Sequence, residues 1–321
     1  MNRPFIDVHH HLIPPRYAEV LAEQGFAEVG GRATPSWSPQ ESLGVMDRNG
    51  IEVAITSISA PGVHFGDAKE AVALARELND TSAELCASYP GRFGAFGVLP
   101  MPEVTASADE AVRVLDELHL DGVVLLSSNL DGSYLGDPRF DEVMAALDAR
   151  GATVFVHPAI PSIATSIGVQ IPVFAMEFTF DTTRAAFNLT YNGTLERYPN
   201  ITWILSHAGG TVPYLVDRFE LLWFSEEDLP ARAPKGARGY LSKLYYDTAL
   251  SANWSALSSL RQLVGDDHIV FGSDFPFAPE LATMLSVDAI NERLGLDEAL
   301  ATQIRSTNAL TLFPRLEGLV S

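Results

Sequence analysis

Phe5-Ile6-Asp7-Val8-His9-His10-His11 is the stretch on which the reading of this chain turns. Its apolar and β-branched start suits a buried strand. It runs out into three histidines, not into the glycine-rich phosphate loop that a nucleotide-binding doubly wound sheet needs after its first strand. Side chains alternate along a strand, so His9 and His11 share one face while His10 points away. Two imidazoles at i and i+2 can therefore take adjacent coordination positions on one ion.

Seven further apolar runs follow, at 53–59, 93–99, 122–128, Thr153–His157, 202–207, 244–248 and 269–274. Between them lie segments of helical periodicity, at Pro39–Asn49, 68–89, 105–119, 137–150, 181–198, 212–223 and Trp254–Val264. Such alternation predicts βαβ units and a parallel sheet covered on both faces. Eight runs in a chain of this length predict a (β/α)₈ TIM barrel, with 1–321 as one domain and a closing helix over 297–312 capped by Asp297. Two connections, 12–38 and 159–180, are too long for turns. They are expected to be long loops on the C-terminal face, where barrel active sites sit.

The composition excludes several functions. The formal net charge is −20, from 41 acidic against 21 basic side chains. An acidic surface of that size repels phosphate backbones and offers no polybasic patch for anionic lipid, so neither nucleic acid nor membrane is expected as a partner. No stretch approaches the roughly 20 apolar residues of a membrane span. The single cysteine, Cys86, cannot form an intrachain disulfide, and no secretory signal precedes Phe5; a cytoplasmic protein is expected.

Five groups able to bind a metal or move protons stand at predicted C-terminal strand ends: His9, His11, His157, His207 and Asp274. A lone histidine at a strand end is usually a hydrogen-bonded structural residue, and His119 and His268 are read that way. Five on the one rim that gathers distant sequence into a site form a constellation. Three imidazoles and a carboxylate suit a borderline divalent ion, Zn²⁺ first and Mn²⁺ second. Counting does not decide which four bind and which one stays free.

Four segments, Asp7-Val8-His9-His10-His11, Val156-His157-Pro158, Ser206-His207-Ala208-Gly209-Gly210 and Phe271-Gly272-Ser273-Asp274-Phe275-Pro276-Phe277, together resemble the amidohydrolase superfamily. The likeness is to its decarboxylase branch, with aminocarboxymuconate-semialdehyde, γ-resorcylate and 6-methylsalicylate decarboxylases. It covers nearly the whole chain. The stretch 178–198 and the Trp37-Ser38-Pro39 turn look similar to the 6-methylsalicylate members.

The resemblance implies that His9, His11, His157 and Asp274 hold one divalent metal and that His207 is an unbound catalytic residue. Related two-metal hydrolases carry a lysine at the end of strand four; here that position reads Leu125-Leu126-Ser127-Ser128, which implies a single-metal site. It also implies a homodimer or higher homo-oligomer. Some branch members hold substrate with an arginine from the loop after strand one; the counterpart is Arg32, at a spacing to Trp37 that departs from the branch's pattern.

The implied activity is metal-dependent nonoxidative decarboxylation of a small hydroxybenzoate-type acid, 6-methylsalicylate-like, with release of CO₂. Asp274 or His207 would supply the proton to carbon, or His207 would first deprotonate a water. Asp247, at the end of strand seven, is a candidate to orient His207 or the metal shell. Phe275 is a candidate to stack on the substrate ring and His64, after strand two, to contact it. Segments 60–65 and 174–181 are expected as pocket walls. The rival readings are a hydrolase or hydratase of a lactone or unsaturated dicarboxylate, and a non-catalytic metal-binding relative.

Overall fold

The structure, a computed structural model, describes residues 3–319 except 167 and 169. Eight parallel strands follow one another round a sheet: β1 (Phe5–His11), β2 (Ile51–Ser57), β3 (Phe93–Val98), β4 (Gly122–Leu126), β5 (Thr153–His157), β6 (Thr202–Leu205), β7 (Tyr245–Asp247) and β8 (Ile269–Val270). Each pairs with its neighbour in sequence, His11 against Ser57, Leu126 against His157 and Val270 against Asp247. The sheet returns to β1 through the chain after β8. Val8 donates its N–H to the Phe271 carbonyl at 3.0 Å, and His11 donates to the Phe275 carbonyl at 2.7 Å. The (β/α)₈ barrel expected from the alternation is the fold observed.

The barrel is filled by side chains. Phe155 stacks on Phe96 with ring centroids 5.4 Å apart, and the edge of His9 meets Phe155 at 4.9 Å. Burying rings of this size contributes roughly 2–3 kcal/mol each, so the polar rim stands on an apolar floor. The outer helices start and stop where local chemistry dictates. Ser38 accepts from the Glu41 N–H, Pro39 occupies the first turn of Pro39–Asn49, and Gly50 ends it at φ 67°. Asp67 accepts from the N–H groups of Lys69 and Glu70 to begin Ala68–Ser88. Asp297 caps its helix as expected, by accepting from the Leu300 N–H.

The expected and observed boundaries differ in informative places. Strand six stops at Leu205, not at 207, and strand eight at Val270, not at 274. His207 and Asp274 lie at φ 54° and 59°, outside the pleated region, so the chain has left the ladder before it presents them. The segment 159–180 is not all loop, because a helix spans Val173–Tyr191. The long connection after β1 holds a helix, Pro15–Glu23, and a two-residue antiparallel pair, Glu28–Val29 with Arg32–Ala33. The segments read as helices at 105–119 and 297–312 each contain a π-turn, at Arg113–Glu117 and Gln303–Thr307.

One buried carboxylate secures the closure. The pairing of β1 shifts register between Asp7 and His10, which places the Asp7 carboxylate against the segment after β8. It accepts from the N–H of His9 at 3.1 Å, the N–H of Ser273 at 3.0 Å, the Ser273 hydroxyl at 2.5 Å and His10 Nδ1 at 3.0 Å. Asp7→Ala leaves those donors buried and unpaired, and is expected to lower stability by about 3 kcal/mol. Chemical denaturation measures this; a loss under about 0.5 kcal/mol would contradict the role given to Asp7.

Candidate metal centre

His9, His11, His157 and Asp274 are buried and offer ligand atoms that all lie within 4.8 Å of one another. His9 Nε2 is 3.0 Å from His11 Nε2, and Asp274 Oδ1 is 3.2 Å and 3.1 Å from those two nitrogens. Ligands held at about 2.0–2.2 Å from one small divalent ion are separated by about 2.8–3.6 Å for angles between a right angle and the tetrahedral one, so the spacing of these three atoms fits.

The opposite nitrogens explain why the Nε2 atoms converge. His9 Nδ1 donates to Asp247 Oδ2 at 2.7 Å, His11 Nδ1 to the Ser57 carbonyl at 3.2 Å, and His157 Nδ1 to the Pro158 carbonyl at 2.9 Å. Each acceptor fixes the Nδ1–H tautomer and leaves Nε2 with a lone pair aimed inward. His10 is turned the other way, between Asp7 and the Ser42 hydroxyl at 2.9 Å, as strand alternation required.

His207 stands beside this group, not in it. Its Nε2 is 3.6 Å from Asp274 Oδ2, and its Nδ1 is buried without a hydrogen-bond partner among the described residues. Thus Asp274 turns one oxygen to His9 and His11 and the other to His207. The turn after β6 is unusual: His207, Ala208, Gly209 and Gly210 all have positive φ, between 54° and 68°. A Cβ at Gly210 would collide with the Thr179 carbonyl, and one at Gly209 would lie 2.5 Å from the Tyr246 ring. Only glycine permits that packing. Asp247 ties the two sides together, since its Oδ1 accepts from the His207 and Ala249 N–H groups at 2.9 Å while Oδ2 holds His9.

Electrostatics follow from burial among mixed charges. Burial works against charge on His9, but Asp247 and then Asp274 outweigh it and raise its pKa to about 10. Burial and the charge on His9 hold His11 below its ordinary value despite Asp274; burial, with His11 and His9, holds His157 well below. Burial pushes Asp274 up, yet the charge of His9 and hydrogen bonds from the imidazoles pull it well below the usual carboxylate range. Without an ion, one proton on His9 therefore compensates the carboxylates; a divalent cation would take over that role.

The other candidates divide between two cavities. The cavity over the cluster, about 290 Å³, is lined by Arg32, Ser59, Phe174, Phe178 and Phe277 together with His157, His207 and Asp274. Arg32 donates to the Phe277 carbonyl at 2.8 Å and lies over the Phe174 ring at 5.0 Å. Phe275 does not line this space; its ring packs on His10 at 5.2 Å, and Phe277, edge-on to His11 at 5.6 Å, is the aromatic wall.

A larger cavity of about 430 Å³ takes the 61–65 segment, including His64, and none of the five rim groups. His64 accepts from the Gly66 N–H and donates to Glu103 at 3.2 Å, so both ring nitrogens are engaged. Sequence reasoning assigned no part to Asp7, Ser57 or Phe277. An aspartate inside an apolar strand was the available sign for Asp7; a backbone carbonyl such as that of Ser57 carries none.

The family model described as Amidohydrolase matches residues 6–315. A 6-methylsalicylic acid decarboxylase of Aspergillus aculeatus is 36% identical, covering 97% of this chain and 96% of its own. A protein of the same name from Penicillium expansum is 35% identical, covering 98% of both. A crystal structure of 2,6-dihydroxybenzoate decarboxylase complexed with 2,6-dihydroxybenzoate superposes with a TM-score of 0.82 at 25% identity, over 98% of this chain and 99% of that one.

Two measurements test the centre. Asp247→Asn leaves one oxygen, which the His207 and Ala249 N–H groups engage, and turns an NH₂ donor to His9 Nδ1. Metal affinity is expected to weaken about 10–100-fold with all four ligands intact, and unchanged affinity in a competition titration would contradict this. Because His9 must lose its proton to coordinate, metal uptake near pH 7 should release about one proton and weaken as pH falls. Calorimetry in two buffers of different ionisation enthalpy reads that proton, and identical heats would exclude it.

Proposed function

The chain belongs to the amidohydrolase family, and on that basis we propose that it is a metal-dependent carboxy-lyase that removes CO₂ from a small hydroxybenzoate-type acid, 6-methylsalicylate-like. The observation that carries this reading is the division at the rim: four buried donors converge, while His207 stands outside them, its Nε2 turned to Asp274 and its Nδ1 without a partner among the described residues, in an aromatic-walled pocket. The relatives named 6-methylsalicylic acid decarboxylase support the substrate class.

The roles follow from the geometry. His9, His11, His157 and Asp274 would hold one divalent ion, and the donor set favours Zn²⁺, with Mn²⁺ as the second candidate. When bound, the ion supplies a Lewis acid that neutralises and orients the carboxylate and its neighbouring phenolic oxygen. Arg32, the positive side chain lining the pocket, draws the anion in against the acidic surface and sits against the ring face of Phe174. Phe277 and Phe178 close on the aromatic ring and keep water from it.

His207 and Asp274 move the proton. Asp274 Oδ2 faces His207 Nε2, so the pair can deliver a proton to the ring carbon that bears the carboxylate. The carbon–carbon bond then breaks, CO₂ leaves, and the bonding electron pair restores the ring. Asp247 keeps His207 and His9 at a fixed separation throughout.

The wider reading has residues 1–321 as one domain, supported by a continuous hydrophobic core from Phe5 to Leu316. No helix among the described residues is long and apolar enough to cross a membrane. One cysteine in the whole chain fits the reducing cytoplasm. Tyr214 and Phe224, 84% and 87% exposed, lie on neighbouring helical segments and support a homodimer.

Metal-loaded protein incubated with a panel of hydroxybenzoates should release CO₂ with the matching phenol. His207→Ala should lower turnover about 10²–10⁴-fold while the bound metal stays stoichiometric. Ring opening or water addition without CO₂ would instead favour the hydrolase or hydratase reading, and full activity in His207→Ala would remove His207 from the chemistry.

A further inference from the structure

The charged and polar groups that line the pocket over the metal centre are His157, His207 and Asp274 with Arg32 and Ser59; the rest of its lining is apolar. Its floor is His157, His207 and Asp274, all buried. Outward from there the wall becomes apolar, and it ends at three leucines that line the cavity while remaining half exposed: Leu250 at 50%, Leu281 at 62% and Leu285 at 52%. Leu281 and Leu285 stand one turn apart on the helix Glu280–Asp288, so they present one stripe to the opening. Single exposed apolar residues are common, but three on one cavity mouth form a contiguous apolar edge of the kind that meets a ligand. Ala278 and Ala282 also line the cavity, and their small side chains take little of its space.

We propose that this mouth selects the substituent on the ring edge remote from the metal, favouring alkyl groups over hydroxyl and admitting chains longer than methyl. The inference rests on the decarboxylase reading above for the pose of the substrate. With its carboxylate and phenolic oxygen at the metal end, a salicylate turns its 4- and 5-positions away from the floor. A hydroxyl there meets leucine side chains that offer it no hydrogen-bond partner, and gives up part of its hydration where it lies against them. A methyl group of nearly the same size loses no hydrogen bond and buries apolar area. Because Leu281 and Leu285 are open to solvent, a longer chain passes between them and is not blocked.

The isosteric pair 4-methylsalicylate and 4-hydroxysalicylate separates polarity from size. Metal-loaded enzyme is expected to show kcat/KM about 10–100-fold higher for the methyl compound, and 4-butylsalicylate to stay within about threefold of 4-methylsalicylate. Leu281→Asn, at a largely exposed position that should not disturb folding, is expected to shrink the methyl-to-hydroxyl ratio several-fold.

Dissociation constants for the same compounds, measured by calorimetry, give the ratio whether or not turnover occurs. If no salicylate loses CO₂ but 4-methylsalicylate still binds more tightly, the decarboxylase reading fails and the selectivity stands. Equal or reversed preference within the pair, in rate or in binding, overturns the proposal, as does exclusion of the butyl compound or failure of any salicylate to bind.

Discussion

The hydrogen bonds that join the first strand to the chain after the last one are the constraint on which this molecule depends. Ser273 and Asp274 both donate their N–H groups to the His9 carbonyl, at 3.2 Å and 2.8 Å, while the Asp7 carboxylate grips Ser273 from the other side. The same contacts that close the barrel thus bring Asp274 to His9 and His11. Closure and ligand assembly are a single event, and a barrel opened at this seam would lose both the end of its sheet and a corner of its metal centre. The strand order supplies the remainder, since His157 ends β5 and His207 lies just beyond its neighbour β6.

Charge is organised against the character of the whole chain. A surface with a formal charge of −20 repels anions, and buried Asp7, Asp247 and Asp274 add negative charge under the rim. Each of the three is matched locally: Asp7 by His10 and Ser273, Asp247 by His9 and two N–H groups, and Asp274 by the imidazoles. What the cluster lacks for an anionic substrate is a net positive centre. A divalent cation held by the four ligands would provide it at the floor, and Arg32 adds a positive group in the pocket wall.

Much of this was legible in the residue pattern, because barrel strands and metal ligands obey short-range rules. Apolar runs alternating with helical periodicity located all eight strands, and the i, i+2 spacing of His9 and His11 placed both on one face, as found. The reading fell short where the backbone leaves regular geometry. Phe275 is expected against the substrate ring because it follows the strand-eight aspartate. The chain leaves the ladder after Val270, takes a positive φ at Asp274, turns Phe275 onto His10 and brings Phe277 to the pocket. His64 looked suited to a substrate contact from its loop position, but which of two neighbouring cavities that loop lines is a long-range property. Asp7 was passed over because its partner Ser273 lies at the far end of the chain.

The turn that carries His207 has one further implication. Four successive residues have positive φ, and two of them, His207 and Ala208, have a Cβ that makes this unfavourable by roughly 1 kcal/mol each. The fold therefore holds in reserve a small elastic energy at the residue given the proton-handling role, balanced by the packing of Gly209 and Gly210 on Tyr246 and Thr179. Selection for robustness alone would favour glycine at position 207, since that would relax the backbone and remove a buried imidazole. Durability and reactivity thus pull this one position in opposite directions, and the histidine marks the side on which this protein has settled.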